Sequence, residues 1–84
     1  MPSVAHLRPD LVKTLRRYQL EKKFAKQLAL FINNPRHPSL NTELLEPKKR
    51  GLYSLRIDRK FRAIYIFLSR DLAEIISITH HYND

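Results

Sequence analysis

Eighty-four residues leave room for one domain, residues 1–84, around one core, because a chain this short buries only about 60% of its unfolded surface on folding. The absence of cysteine removes disulfides, thiolate metal ligands and cysteine nucleophiles together, and suits a reducing compartment. Sixteen Lys and Arg against eight Asp and Glu give a formal net charge of +8, which on so small a surface favours a polyanionic partner, nucleic acid first, over mere solubility. The start, Met1-Pro2-Ser3-Val4-Ala5-His6, lacks the charged and apolar regions of a signal peptide, and no apolar stretch approaches the ~20 residues of a membrane span. A soluble, cytoplasmic protein with no membrane partner is expected.

In chain order, Ser3 to Leu7 offers a weak strand signal. Leu11, Leu15 and Tyr18, then Leu20, Phe24, Leu28, Phe31 and Ile32, recur at gaps of three and four, which predicts two helices. Pro9-Asp10 suits the start of the first, and Asn33-Asn34-Pro35 the end of the second. Only a kink near Tyr18-Gln19 separates them, so they form a helical hairpin. Residues 34–50 are polar, basic and punctuated by Pro35, Pro38 and Pro47; they read as an ordered loop anchored by Leu40, Leu44 and Leu45.

The single glycine, Gly51, marks the change to β patterning. Residues 52–57 alternate, 61–68 are β-branched and aromatic, and 73–79 are rich in isoleucine. The links at 58–60 and 69–71 are too short for parallel crossovers, so the three strands pair as antiparallel hairpins. Two helices over one face of a three- to four-stranded antiparallel sheet make a two-layer α+β domain. Alternation sends Tyr53, Leu55 and Ile57 to one face and Ser54, Arg56 and Asp58 to the other. The charge excess is regional: residues 1–50 carry eleven basic and four acidic side chains, the remainder five and four.

The run from Gly51 to Ile57, then Arg62-Ala63-Ile64-Tyr65, resembles the Arg-Ile…Arg-Leu-Val-Tyr strand pair of the RelE/ParE toxin superfamily, with arginine spacing closest to its YoeB branch. Thr79-His80-His81-Tyr82 is similar to that branch's Arg-Tyr-His-Tyr terminus, Glu43 falls at the position of its glutamate, and residues 34–40 resemble a loop common in the superfamily. The resemblance covers nearly the whole chain. It implies an antiparallel sheet with an RNA-cleaving face, a cognate antitoxin as partner, and a ribosome-dependent mRNA endonuclease. Carried over residue by residue, it makes Glu43 the general base, Arg56 and Arg62 phosphate ligands, His81 the general acid and Tyr82 an auxiliary residue. Pairing His81 with the family's histidine needs one added residue in the hairpin at 69–71; without it His80 takes that place.

The chemistry is coherent without a metal or cofactor. A carboxylate can take the 2′-hydroxyl proton, an imidazole can protonate the leaving 5′-oxygen, and guanidinium forks suit the phosphorane oxygens. His6, His37, His80 and His81 have no metal-ligand spacing. Lys48, Lys49 and Arg50, with His80, are candidates for RNA or ribosomal RNA contact through backbone phosphates. Each of these side chains also has an ordinary role as a solvated surface residue; their joint spacing carries the functional reading. The alternatives are a gyrase-inhibiting, non-enzymatic ParE-like toxin and an inactive toxin fold that binds RNA or antitoxin; on any of these readings the protein is expected as a monomer or a homodimer.

Overall fold

Helix α1 (Pro9–Arg17) opens with Pro at its first turn, where a missing N–H costs nothing. Its end is set by Gln19, at φ +56°. Leu20 N–H bonds Leu15 O at 2.8 Å and Gln19 N–H bonds Arg16 O at 3.1 Å, the double bond of a left-handed helix stop, and Leu15 and Leu20 close it with a buried contact pair. Helix α2 (Glu21–Asn33) follows at once, giving the expected hairpin. In this computed structural model residues 1–80 are described.

Five strands form one sheet: β1 (Ser3–Val4), β2 (Glu43–Leu44), β3 (Tyr53–Arg56), β4 (Phe61–Ser69) and β5 (Leu72–His80), in the order β1-β5-β4-β3-β2. The β3–β4–β5 meander is antiparallel as its short links require. The N-terminal strand runs parallel to β5, so the sheet is mixed. The other addition, β2, lies within the stretch read as loop and pairs antiparallel with β3. Two-residue strands at both edges leave little unpaired backbone for edge-to-edge association. At the bulge around Ile76 the freed carbonyl accepts Arg8 Nη2–H at 3.0 Å, tying the start of α1 to β5.

Both helices cover one face. Leu11, Leu15, Leu20, Phe24 and Phe31 meet Leu55, Ile57, Ala63, Tyr65, Ala73 and Ile75 there, and Leu40 is fully buried beneath its loop. Leu44 is exposed rather than an anchor, because its strand sits at the sheet edge, and Leu45 is only half-buried. The α2 stripe also contains a polar member. Gln27 is buried and donates Nε2–H bonds to Arg56 O at 2.8 Å and Ser39 O at 3.1 Å, so one amide joins helix, loop and the end of β3.

The β3–β4 turn is held by Asp58. Its carboxylate accepts from the Lys60 and Phe61 amides at 2.8 and 2.9 Å and from Lys23 Nζ at 3.2 Å. Partial burial opposes ionisation, but the two amides and the ammonium outweigh it and hold the carboxyl below its usual range. A carboxyl lowered in the folded state stabilises the fold above its unfolded value and loses that contribution as pH falls through the folded one. Wild-type unfolding midpoints are therefore expected to drop more than those of Asp58→Asn between about pH 5 and pH 2. Parallel loss in both proteins, followed by urea titration, would contradict the assignment.

Candidate active site

Register fixes which side chains share the face that the helices leave open. Glu43, Ser54, Ile64 and Ser77 form one cross-strand row, and Arg56, Arg62 and Thr79 form the next. Successive rows on one face lie about 7 Å apart, and neighbouring strands about 5 Å. One carboxylate and two guanidinium groups, from three adjacent strands, thus occupy a single patch.

Arg62 is the buried member, 8% exposed despite lying on the open face. Its side chain crosses β3: Nε–H donates to Ser54 Oγ at 2.9 Å, and Nη2 donates to the Asn41 carbonyl and to Ser54 O. Asn41 takes φ +44°, a conformation Asn tolerates well, and this turns its carbonyl toward the guanidinium. Burial pushes the Arg62 pKa down, the Glu43 charge pulls it up, and Arg56 pushes it down again. The group remains a cation at neutral pH. Among the described residues nothing accepts from Nη1, which leaves two N–H groups for an anion.

Arg56 is half-buried, and the one hydrogen bond of its side chain among the described residues is a long one, Nε–H to Asp58 O at 3.3 Å. Both terminal nitrogens remain for a phosphate fork. Gln27 steadies its backbone from below. Glu43 is exposed and sits opposite Ser54 on the edge strand. On the helix-covered side, burial pushes the Tyr65 hydroxyl pKa up and the neighbouring Thr42 side chain draws it down. The residues before Glu43 are tied to β4 by the Arg62 bond to the Asn41 carbonyl.

Other expected residues stand elsewhere. His80 pairs with Phe61 in register, and their rings lie 4.9 Å apart. Phe61 shares its face with Ala63, so His80 is on the opposite side of the sheet from Arg56 and Arg62. Lys48, Lys49 and Arg50 form an exposed single turn before Gly51, at the Tyr53 end of β3, whereas Arg56 closes the other end. His81 and Tyr82 lie outside the described residues. Sequence reasoning overlooked Ser54 and Asn41. Ser54 carried a signal, standing two residues before Arg56 and hence on its face; Asn41 carried only its tolerance of a left-handed turn.

No protein-family model and no curated protein matches the sequence. Solved structures do match it. The chain is similar to a toxin-antitoxin complex of YoeB and YefM from Staphylococcus aureus, with TM-score 0.70 and 22% identity over 98% of this chain and 99% of the other. YafQ from E. coli strain BL21(DE3) matches with TM-score 0.71 and 16% identity over 95% and 93%. A YoeB/ParE toxin from Agrobacterium tumefaciens matches with TM-score 0.69 and 20% identity over 98% and 100%.

Proposed function

We propose that this chain, which has the fold of the RelE/ParE toxins, is the toxin of a toxin-antitoxin pair and cuts mRNA on the ribosome. The observation that carries the reading is the patch itself: Glu43, Arg56 and Arg62 meet on one face of the sheet, and both arginines keep N–H groups without protein acceptors among the described residues. A face that concentrates positive charge beside one carboxylate suits a phosphodiester better than a neutral ligand.

In the reaction, the Glu43 carboxylate takes the proton of the 2′-hydroxyl, and the 2′-oxygen attacks phosphorus. The P–O5′ bond breaks as the 5′-oxygen receives a proton from His81, leaving a 2′,3′-cyclic phosphate and a 5′-hydroxyl. Arg56 donates two bonds to the non-bridging oxygens, and Arg62 adds its Nη1 edge. Tyr82 steadies the scissile nucleotide. Lys48, Lys49, Arg50 and His80, away from the patch, hold backbone phosphates of mRNA or ribosomal RNA. The reaction takes place in the cytoplasm, and the partner that silences the protein is a cognate antitoxin, as the S. aureus YoeB structure holds YefM.

The test is controlled expression with primer extension on cellular mRNA. New cleavage ends within coding regions, together with arrested growth, are expected. Arrested growth with intact mRNA and lost gyrase supercoiling would favour the ParE-like alternative, and unaffected growth an inactive fold.

A further inference from the structure

A second cluster of aromatic and cationic groups lies on the helix-covered side of the sheet, where the link between α1 and α2 meets the β3–β4 hairpin. Tyr18, in the link between α1 and α2, is 47% exposed. Its ring packs on Phe61 at 4.9 Å, and Phe61 packs on His80 at 4.9 Å. Arg17 lies over the Tyr18 ring, 5.5 Å from its centroid. The result is a column of one guanidinium and three rings on the helix-covered side. Beside Phe61 in the chain, Arg59 and Lys60 line an open cleft of about 410 Å³ with Lys23 and Asp58. The Asp58 charge is matched by Lys23, so the cleft's excess charge is that of Arg59 and Lys60.

Phe61 is packed against the core, and Tyr18 carries the column outward from it to the surface. A tyrosine in a helix link could point to water; here its ring packs at a tilt on Phe61 and is still half-exposed, with Arg17 over the ring as that side chain's one contact among the described residues. Stacked aromatic and guanidinium planes next to cationic side chains are what unpaired bases and their phosphates recognise. Hydrophobic docking alone would not call for the charges, and a pure phosphate site would not call for the rings.

We propose that the Arg17–Tyr18–Phe61 column and the Arg59/Lys60 cleft form a second binding site for single-stranded RNA, separate from the cleaving face. It takes its choice of ligand from the function proposed above. A base lies on the Arg17 guanidinium or displaces it to reach the Tyr18 ring, and the adjoining phosphates are held by Arg59 and Lys60. Because Phe61 and Arg62 are consecutive on β4, the two sites stand on opposite faces of the same strand, and one RNA can pass round the β3–β4 hairpin end of the sheet between them.

Anisotropy with a labelled 2′-O-methyl oligouridylate, which cannot be cut, tests this apart from catalysis. Tyr18→Ala is expected to weaken binding about tenfold while Tyr18→Phe keeps it. Heparin, a polyanion without bases, should bind Tyr18→Ala as it binds the wild type. Joint replacement of Arg59→Gln and Lys60→Gln should flatten the log–log salt slope by roughly 1.4. Undiminished oligouridylate binding by Tyr18→Ala, or an equal loss for heparin, would overturn the site. Cleavage of mRNA, measured separately, tests the active-site reading whichever way binding falls.

Discussion

Arg62→Ala is expected to reduce cleavage by about a hundredfold or more and to lower stability by about 2–4 kcal/mol. Both effects have one origin. The guanidinium is buried and spans Ser54 Oγ and the Asn41 carbonyl. Truncation strands the hydroxyl of the buried Ser54, and it releases the left-handed turn that precedes Glu43. Such a side chain is a strut for the segment before the edge strand, and in the proposed reaction its Nη1 edge is the anion ligand. Arg62→Lys separates the roles: a point charge keeps the cation, but it lacks the planar fork needed to hold both acceptors at once. Lysine should therefore recover part of the stability and little of the rate. Denaturant titration alongside primer extension on programmed ribosomes measures both; a stable and fully active alanine variant would remove Arg62 from the site.

Arg56→Ala should produce a rate loss of similar size, about a hundredfold or more, with a much smaller change in stability. The only hydrogen bond of its side chain among the described residues is the 3.3 Å contact to Asp58 O, and the Gln27 bond goes to its main-chain oxygen, which the substitution leaves in place. Nearly all of its donor capacity is available to substrate. The expected signature is a folded protein with an unchanged unfolding midpoint, within about 1 kcal/mol, that no longer cuts. Equal losses of stability in the two alanine variants would mean that Arg56 is structural as well.

The two arginines were legible in the sequence for a simple reason. Period-two alternation places Arg56 on the polar side of β3, and a hairpin too short for a crossover sets Arg62 opposite it. The helical hairpin was equally plain, since Leu11, Leu15, Leu20, Phe24 and Phe31 keep the gaps of a buried stripe. Glu43 was visible only by resemblance, because a two-residue edge strand between Asn41 and Leu45 has no periodicity to read. The N-terminal strand was faint for the same reason, and its parallel pairing with β5 depends on a path around α1 and α2 that no local pattern encodes.

Polar side chains that serve other polar side chains were the least legible. Gln27 looks like an ordinary helix-surface residue until its amide is seen bridging Arg56 O and Ser39 O. Ser54 looks like a filler between Tyr53 and Leu55 until Arg62 reaches across β3 to it. Between the two histidines, geometry makes a distinction that spacing did not. His80 packs against Phe61 on the side away from the arginines, so it is not placed to donate a proton across the patch, and the acid role is proposed for His81.

The chemical ends of the cut RNA bear most directly on the site as a transesterification centre. Programmed ribosomes incubated with the protein should yield upstream fragments ending in a 2′,3′-cyclic phosphate and downstream fragments beginning with a 5′-hydroxyl, and mRNA carrying a single 2′-deoxynucleotide at the cut position should stay whole. Fragments beginning with a 5′-phosphate, or scission of the 2′-deoxy message, would mean that the attacking oxygen comes from water and that Glu43, Arg56 and Arg62 have been given the wrong work.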